Sequence, residues 1–327
     1  MSAELYPLKF ETIFKDKIWG GNKINTVLGK DFSPLPNCGE TWEISGVPGN
    51  VSIVSEGALQ GKSLNEILES SKEQLVGKKV YADNGNEFPL LVKFIDANDD
   101  LSIQVHPNDE LAKVRHNSLG KTEMWYILEA DTGATLISGF NKNLTKDEYL
   151  ENFNSGKLTD ILNEEEVQAD DVFFLPAGRV HTIGKGLLLA EIQQTSDVTY
   201  RIYDFDRVDD QGNTRELHLE DSLDAMDFKH YDEYKSTYNR DKNRSADLAE
   251  CKYFKTNRLY YNQCVDKNYK EIDSFVIYVV AEGKGLLKYD GGETKITFGD
   301  CLLIPASISQ VTIEPEGDIK ILESYVP

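Results

Sequence analysis

The fold is decided by the stretch Leu101-Ser-Ile-Gln-Val-His-Pro-Asn-Asp-Glu110, in which apolar and polar residues alternate as in a half-buried strand. Gln104 and His106 are two positions apart, so in a strand their side chains lie on the same face. Pro107 follows and ends strand pairing, because it has no backbone N–H to donate. Two polar side chains on an inward face require partners, which we expect from other strands of the chain.

The bulk composition is that of a globular protein. With 327 residues and 40% hydrophobic content, the chain is long enough for two domains or one large β-rich unit. No apolar run approaches the roughly 20 residues that a membrane helix needs. The opening residues, Met1-Ser-Ala-Glu-Leu-Tyr-Pro7, have neither the basic nor the apolar region of a signal peptide, so we expect a cytoplasmic protein.

Charge and cysteine content restrict the possible partners. The formal net charge of -21 predicts that neither nucleic acid nor membrane is a partner, because both are bound through Lys and Arg. An anionic small-molecule substrate would need several basic residues gathered locally. The cysteines have no paired spacing, which disfavours a thiolate zinc site and a disulfide framework, so we interpret them as free thiols. They are Cys38, Cys251, Cys264 and Cys301.

A degenerate internal repeat organises the chain. The later copy is Asp300-Cys-Leu-Leu-Ile-Pro-Ala-Ser-Ile-Ser-Gln-Val-Thr-Ile313, and it lines up with Asp171-Val-Phe-Phe-Leu-Pro-Ala-Gly-Arg-Val-His-Thr-Ile183. In this alignment Gln310 stands opposite His181. The second copy has therefore lost the imidazole of the first.

A second pair of segments extends the repeat. The segment that begins at Phe275 has a pattern of apolar residues similar to that of the segment that begins at Glu123. In this alignment the apolar Phe275 stands opposite the acid Glu123. We therefore predict a mainly β protein with two β-barrel-like units, of which only the first keeps polar candidates at these positions. The predicted domains are a catalytic, metal-binding domain at 1–235 and a second domain without metal ligands at 236–327.

Helices are predicted at two places. Residues 145–168 are strongly charged, with apolar residues at helical intervals, which predicts one or two helices inserted into the first unit. The apolar positions are Tyr149, Leu150, Phe153, Leu158, Ile161 and Leu162. Ser63 precedes another apolar helical pattern and is predicted to be its N-cap.

Four polar residues of the first unit form a candidate metal site. They are Gln104, His106, Glu123 and His181. Two imidazoles, one carboxylate and one amide oxygen form a ligand set that suits zinc and leaves a net positive charge for Lewis-acid chemistry. Isolated histidines in strands are more often structural, but the loss of these groups from the second copy favours a function. We interpret His116, His218 and His230 as surface histidines.

The same motifs resemble the type I mannose-6-phosphate isomerases of the cupin superfamily, in their short bacterial form. The resemblance covers essentially the whole chain and implies two cupin (jelly-roll) barrels and a zinc enzyme that interconverts mannose 6-phosphate and fructose 6-phosphate. The four candidate residues match the metal ligands of the family. The motifs that carry the resemblance are Pro89-Leu-Leu-Val-Lys-Phe-Ile-Asp-Ala97, Leu101–Asp109, Gly120-Lys-Thr-Glu-Met-Trp125, Pro176–Ile183 and Glu191-Ile-Gln-Gln-Thr-Ser-Asp197.

The resemblance also implies roles for residues around the metal. Arg201 matches the active-site arginine of the family, although Arg207 is an alternative, and the spacing from Glu191 favours Arg201. Glu191 matches the acid of a Glu-Ile-Gln motif, and Lys121 matches a lysine two residues before the metal-binding acid.

Three further residues match substrate-binding positions. Lys93 and Ser102 match positions associated with the substrate phosphate, and Trp19 matches an aromatic residue at the wall of the site. Because the short form lacks a large helical insertion, the helices predicted at 145–168 are candidates for a reduced lid.

The predicted reaction requires a proton to move between two carbons through an enediol. On this hypothesis zinc and Arg201 stabilise the negative charge of the enediol, and Glu191 or Lys121 moves protons, with the base left open. Two alternatives remain: a cupin oxygenase that uses iron or manganese, and a sugar-phosphate-binding protein without catalysis. Gln104 as a ligand and the basic residues around the site favour a redox-inert metal and an anionic sugar over the oxygenase.

Overall fold

A computed structural model of the chain describes residues 4–208 and 211–327. Residues 1–3 and 209–210, which belong to the predicted first domain, lie outside the described residues. Strands predominate over helices, so the mainly β prediction is confirmed. No helix in the described ranges is long and apolar enough to cross a membrane.

The strands run through the whole described chain. In the first half they are β1 (Leu8–Lys9), β2 (Ile13–Lys15), β3 (Glu40–Ile44), β4 (Leu90–Ala97), β5 (Ile103–Val105), β6 (Glu123–Ala130), β7 (Thr135–Phe140), β8 (Leu162–Glu166), β9 (Val172–Leu175), β10 (His181–Ile183), β11 (Leu187–Gln194) and β12 (Tyr200–Tyr203). In the second half they are β13 (Arg244–Glu250), β14 (Lys255–Tyr261), β15 (Val265–Asn268), β16 (Val276–Glu282), β17 (Lys284–Tyr289), β18 (Gly292–Thr297), β19 (Cys301–Ile304), β20 (Gln310–Pro315) and β21 (Ile319–Tyr325).

The helices are short. They are α1 (Lys23–Thr26), α2 (Leu64–Ser71), α3 (Glu73–Val76), α4 (Lys78–Asn84), α5 (Asp109–His116), α6 (Lys146–Asn154) and α7 (Leu219–Ala225), with a 3₁₀ turn at Thr159–Ile161. Ser63 caps α2 as predicted, since its side chain accepts the N–H of Glu66 while the Glu66 carboxylate accepts the N–H of Ser63.

Close contacts group the chain into two compact units. The central unit comprises Phe14–Thr41 and Phe94–Ser236, and the terminal unit comprises Met1–Ile13, Trp42–Lys93 and Thr237–Pro327. Both units draw residues from the predicted first domain. The division at 235 and 236 into two domains therefore stays a prediction.

The central unit is built from two layers of strands. One sheet has the order β12-β5-β10-β7-β8, and a second sheet contains β11, β6 and β9 as neighbours. Apolar residues from both layers form one inner cluster, which includes Trp125, Ile127, Leu136, Phe173 and Ile183. The core of this unit therefore lies between the two sheets. Residues that are two positions before or after one of these five on the same strand also face inward.

The five-stranded sheet carries helices on its other face. Ile103 and Val105 of β5 pack there in a cluster that includes Tyr149 of α6. Helix α6 begins at a capping box formed by Thr145 and Glu148. Helix α6 thus lies behind the sheet rather than over the face that carries Gln104, which disfavours the lid predicted for this segment.

The prediction of helices throughout 145–168 is wrong for its second half. After the 3₁₀ turn, Leu162–Glu166 forms the edge strand β8 and pairs with β7. Leu162 is buried, whereas Glu164 and Glu166 are exposed. Acidic side chains on an edge strand prevent pairing with another sheet, and they are equally common on an exposed helix.

The terminal unit repeats the two-layer plan. Its sheets have the orders β1-β19-β16-β21-β14-β13 and β15-β20-β17-β18, with an apolar cluster that draws on both.

The two units also repeat a strand pairing. Strand β20 pairs with β15 as β10 pairs with β5, but the predicted equivalence of Gln310 and His181 is off by one residue. Gln310 is exposed, whereas Val311 packs in the inner cluster and pairs with Lys267, so Val311 is the counterpart of His181.

The predicted equivalence of Phe275 and Glu123 is off by one residue. Glu123 pairs with Leu175, and Val276 pairs with Ile304, the residue that aligns with Leu175. Val276 is therefore the counterpart of Glu123. Sequence similarity could not resolve the shift because both candidate positions are apolar.

Candidate metal centre

Strand pairing brings Gln104 and His181 together. Gln104 lies at the centre of β5 and is directly opposite His181, the first residue of β10. Directly opposite residues of an antiparallel pair project their side chains to the same face. The amide nitrogen of Gln104 lies 3.2 Å from Nε2 of His181, so the two ends of the side chains meet.

Glu123 and His106 complete the group. Nε2 of His181 lies 3.4 Å from Oε1 of Glu123, and Nε2 of His106 lies 3.6 Å from Oε2 of the same carboxylate. All three side chains are buried, and their candidate ligand atoms lie within 4.8 Å of one another. Ligand atoms about 2.0–2.2 Å from a tetrahedral zinc ion are separated by roughly 3.3–3.5 Å, so the observed spacing fits one ion.

Backbone carbonyls orient both imidazoles. Nδ1 of His181 donates to the carbonyl of Arg179 at 2.8 Å, and Nδ1 of His106 donates to the carbonyl of Val198 at 3.0 Å. The electron pair of each Nε2 therefore faces the Glu123 carboxylate. These electron pairs and the negative carboxylate repel one another unless a cation lies between them. Histidines that bind a metal usually donate the other ring N–H to a carbonyl in this way.

Burial keeps His181 neutral. It lowers the pKa of His181 to about 4, because the charged imidazolium would lose its hydration, and the Lys121 ammonium acts in the same direction. A neutral imidazole is the form that binds a metal.

The site contains a second buried carboxylate and an ammonium. Nζ of Lys121 lies 3.0 Å from Oε2 of Glu123 and 3.9 Å from Oε1 of Glu191. Trp125 donates its indole N–H to Oε2 of Glu191 at 2.9 Å, which fixes that carboxylate. Two carboxylates and one ammonium leave this buried group negative, so a divalent cation would be favoured there.

The donor set fits the predicted metal. A metal ion would take the amide oxygen of Gln104, which rotation of the amide by half a turn brings to the place of the nitrogen. Within the part of the chain that the structure describes, no second group of three histidine, cysteine or acidic side chains has suitable spacing. The cysteines are free thiols outside this group, as predicted.

Arg201 lies on the strand next to β5, on the same face of the sheet as the candidate ligands Gln104 and His181. On β12 it is directly opposite Gln104, so its side chain projects to the face that carries Gln104 and His181. Its Nη1 donates to the carbonyl of Glu216 at 2.8 Å, and its Nε has no hydrogen-bond partner among the described residues. Burial lowers the pKa of Arg201 from its usual value, because the charged form is partly desolvated.

Arg207 has other contacts. Its guanidinium donates to the Asp204 carboxylate at 2.6 Å and to the carbonyl of Asp100 at 2.5 Å. Burial opposes ionisation of Asp204, but hydrogen bonds from Arg215 and Arg207 lower its pKa overall. Arg207 is therefore part of an ion-pair network. Of the two arginines, Arg201 is favoured by the geometry as the candidate for the site beside Gln104.

The three predicted substrate residues are all buried. Ser102 is buried just before β5, but the alternation stops there because Leu101 packs with the inner cluster and Ile103 with the outer one. Trp19 is buried in the inner cluster of the central unit. Lys93 belongs to the terminal unit, where its ammonium lies 5.2 Å from the centroid of the Trp42 ring.

Sequence reasoning missed the groups that orient the ligands. The carbonyls of Arg179 and Val198 carry no residue-type information, so no pattern could identify them. Trp125 could have been recognised, since it is two residues after Glu123 and faces the same side of the strand. His218 was interpreted as a surface residue, yet its Nδ1 accepts the backbone N–H of Arg201 at 3.1 Å.

Two family models match the chain. One describes the catalytic domain of type I phosphomannose isomerase and matches residues 7–139, and the other describes the cupin domain of mannose-6-phosphate isomerase and matches residues 245–326. The first match contains Gln104, His106 and Glu123, and the second lies in the terminal unit.

Individual relatives match almost the whole chain. Mannose-6-phosphate isomerase ManA of Bacillus subtilis is 36% identical over 94% of this chain and 96% of its own length. A mannose-6-phosphate isomerase of Streptococcus mutans is 34% identical over 98% of both chains. The crystal structure of the mannose 6-phosphate isomerase from Bacillus subtilis covers 97% of this chain and 99% of its own, with 33% identity and a TM-score of 0.87.

We predict that His181→Ala abolishes metal binding, because the change removes one of two imidazole ligands and the contact to Gln104. Metal content per chain, measured by inductively coupled plasma mass spectrometry after dialysis, should fall from near one to near zero. His230→Ala is the matched control, because the ring of His230 contacts the Phe140 carbonyl and the Tyr234 ring and is not a member of the candidate ligand group. Undiminished metal content in His181→Ala would contradict the assignment.

Proposed function

The chain belongs to the family of type I phosphomannose isomerases, and we propose that it interconverts mannose 6-phosphate and fructose 6-phosphate with one zinc ion at Gln104, His106, Glu123 and His181. The observation that carries this proposal is the buried His106–Glu123–His181 group with spacing suitable for a metal, in a chain similar to these isomerases over nearly its full length. We further propose that both units are cupin folds and that the central one is catalytic.

The reaction moves a proton between C1 and C2 of the sugar through an enediol. When bound, zinc would act as a Lewis acid that polarises the carbonyl and hydroxyl oxygens. Arg201 contributes a second positive charge on the same face of the sheet. Because its Nε has no partner among the described residues, Arg201 can donate to an oxygen that becomes negative in the transition state.

Glu191 and Lys121 are the candidates for proton transfer. Trp125 donates to the Glu191 carboxylate and Lys121 lies beside it, so the carboxylate is held in one orientation. An oriented carboxylate is suited to accept a proton from carbon, and the neighbouring Lys121 side chain is suited to donate one to oxygen. We propose Glu191 as the base and Lys121 as the positive group that stabilises it.

The phosphate of the substrate requires basic and hydroxyl groups outside the metal site. We propose Lys93 and Ser102 for this role, with Trp19 at the wall of the site, on the basis of the family match alone. Lys93 is buried, which is unusual for a lysine and is consistent with a role other than surface solvation.

A coupled assay tests the activity. The protein with added Zn²⁺ should produce fructose 6-phosphate from mannose 6-phosphate, and dialysis against a chelator should abolish turnover, with recovery on adding Zn²⁺ back. A non-catalytic sugar-phosphate-binding protein would show binding without turnover. Consumption of dioxygen with Fe²⁺ or Mn²⁺ would indicate a cupin oxygenase and would contradict the proposal.

We predict that Arg201→Ala keeps its metal but lowers kcat by about 10²–10³-fold, the usual effect of removing one donor to a developing oxyanion. Steady-state kinetics together with metal content separates this from loss of the metal site.

Arg115→Ala is the control for this variant, because Arg115 pairs with Asp221 and Asp224 at the surface. Unchanged turnover in Arg201→Ala, with a loss in Arg207→Ala, would transfer the role to Arg207.

A further inference from the structure

One short turn contacts both candidate imidazole ligands through its backbone. The turn joins β9 to β10 and contains Gly178 and Arg179. The backbone N–H of Gly178 donates to the carbonyl of His106 at 2.9 Å, and the carbonyl of Arg179 accepts from Nδ1 of His181 at 2.8 Å. A displacement of this turn would therefore change the position of both imidazoles relative to Glu123.

The side chain of Arg179 is a buried cation beside two tyrosine rings. It is only 7% exposed, and the centre of its guanidinium lies 4.6 Å from the ring centroid of Tyr231 and 4.6 Å from that of Tyr234. The two rings are edge to face, with centroids 6.1 Å apart and an interplanar angle of 71°, so they form a corner that contains the guanidinium. Contacts of this kind strengthen when the cation is removed from water.

Hydrogen bonds fix both rings of this corner. The hydroxyl of Tyr234 donates to the carbonyl of Phe140 at 2.7 Å and accepts the backbone N–H of Tyr231 at 3.1 Å. The hydroxyl of Tyr231 donates to the Asp227 carboxylate at 2.6 Å. The corner is therefore a fixed surface against which the Arg179 side chain packs.

The segment after α7 also contacts the backbone of the turn. The N–H of Asp227 donates to the carbonyl of Gly178 at 2.9 Å. Gly178 has a φ of +92°, and a Cβ at this position would lie 2.8 Å from the carbonyl oxygen of Ala225, so the close approach requires glycine. Residues 225–234 thus hold the turn at Gly178 through the backbone and at Arg179 through the side chain.

We propose that Arg179 is a positioning residue of the metal centre, because its contacts with Tyr231 and Tyr234 fix the carbonyl that orients His181. Arg179 acts through its own backbone and takes no part in the chemical step. Without these contacts the turn would adopt several positions, and the ligand geometry would have to be restored at each binding event. The inference depends on the proposed metal site.

The test measures the affinity of the full-length, metal-free protein for Zn²⁺ alone, in competition with a chromogenic chelator and without substrate. Arg179→Ala should raise the Kd for Zn²⁺ about 10-fold, which is the lower end of the usual effect of losing a group that orients a metal-bound histidine. Arg179→Lys keeps a cation in the corner but not the planar group, so its Kd should lie between the other two. This variant also decides the question if Arg179→Ala does not fold.

Arg258→Ala is the matched control. Arg258 is 1% exposed, and its guanidinium lies 5.1 Å and 5.2 Å from the ring centroids of Tyr238 and Tyr260 in the terminal unit, which contains none of the candidate ligands. This variant should lose thermal stability, as Arg179→Ala does, but its Kd for Zn²⁺ should be unchanged. An equal weakening of Zn²⁺ binding in Arg258→Ala would reflect a general loss of stability and would overturn the inference.

Two further outcomes separate this inference from the proposed function. If the unchanged protein binds Zn²⁺ and either Arg179 variant has the same Kd, the positioning role of Arg179 is wrong and the metal site stands. If the unchanged protein does not bind Zn²⁺, both the metal site and the role of Arg179 are wrong.

Discussion

The pairing of β5 with β10 is the constraint on which the functional centre depends. It sets Gln104 directly opposite His181. The neighbouring strand β12 of the same sheet places Arg201 directly opposite Gln104 on its other side. Neither imidazole is free to rotate, because the carbonyls of Arg179 and Val198 hold the Nδ1 atoms. A slip of one residue in this pairing would turn Gln104 to the apolar outer face and destroy the centre.

Electrostatics explains how a strongly acidic protein can act on an anionic sugar. The net charge of -21 repels phosphate at long range, so binding depends on local positive charge. In the proposed function Lys121 and Arg201 provide this charge, and a bound divalent ion would add to it. The acids next to them, Glu123 and Glu191, are buried, which concentrates their field on the cations nearby.

The structure brings together the four candidate ligands that the sequence singled out, and this grouping was predictable because side-chain chemistry and strand alternation are both visible in a sequence. Other features were hidden for physical reasons. The orienting carbonyls have no residue identity, and the β8 segment carries acids that suit an exposed helix and an edge strand equally.

The central claim is that two imidazoles and one carboxylate bind a metal ion in the interior of the central unit. X-ray absorption spectroscopy of the zinc-loaded protein at the zinc edge measures this directly. The account predicts nitrogen and oxygen ligands at about 2.0–2.2 Å, with outer-shell scattering from two imidazoles. A zinc–sulfur distance of about 2.3 Å, or a spectrum without imidazole scattering, would contradict it.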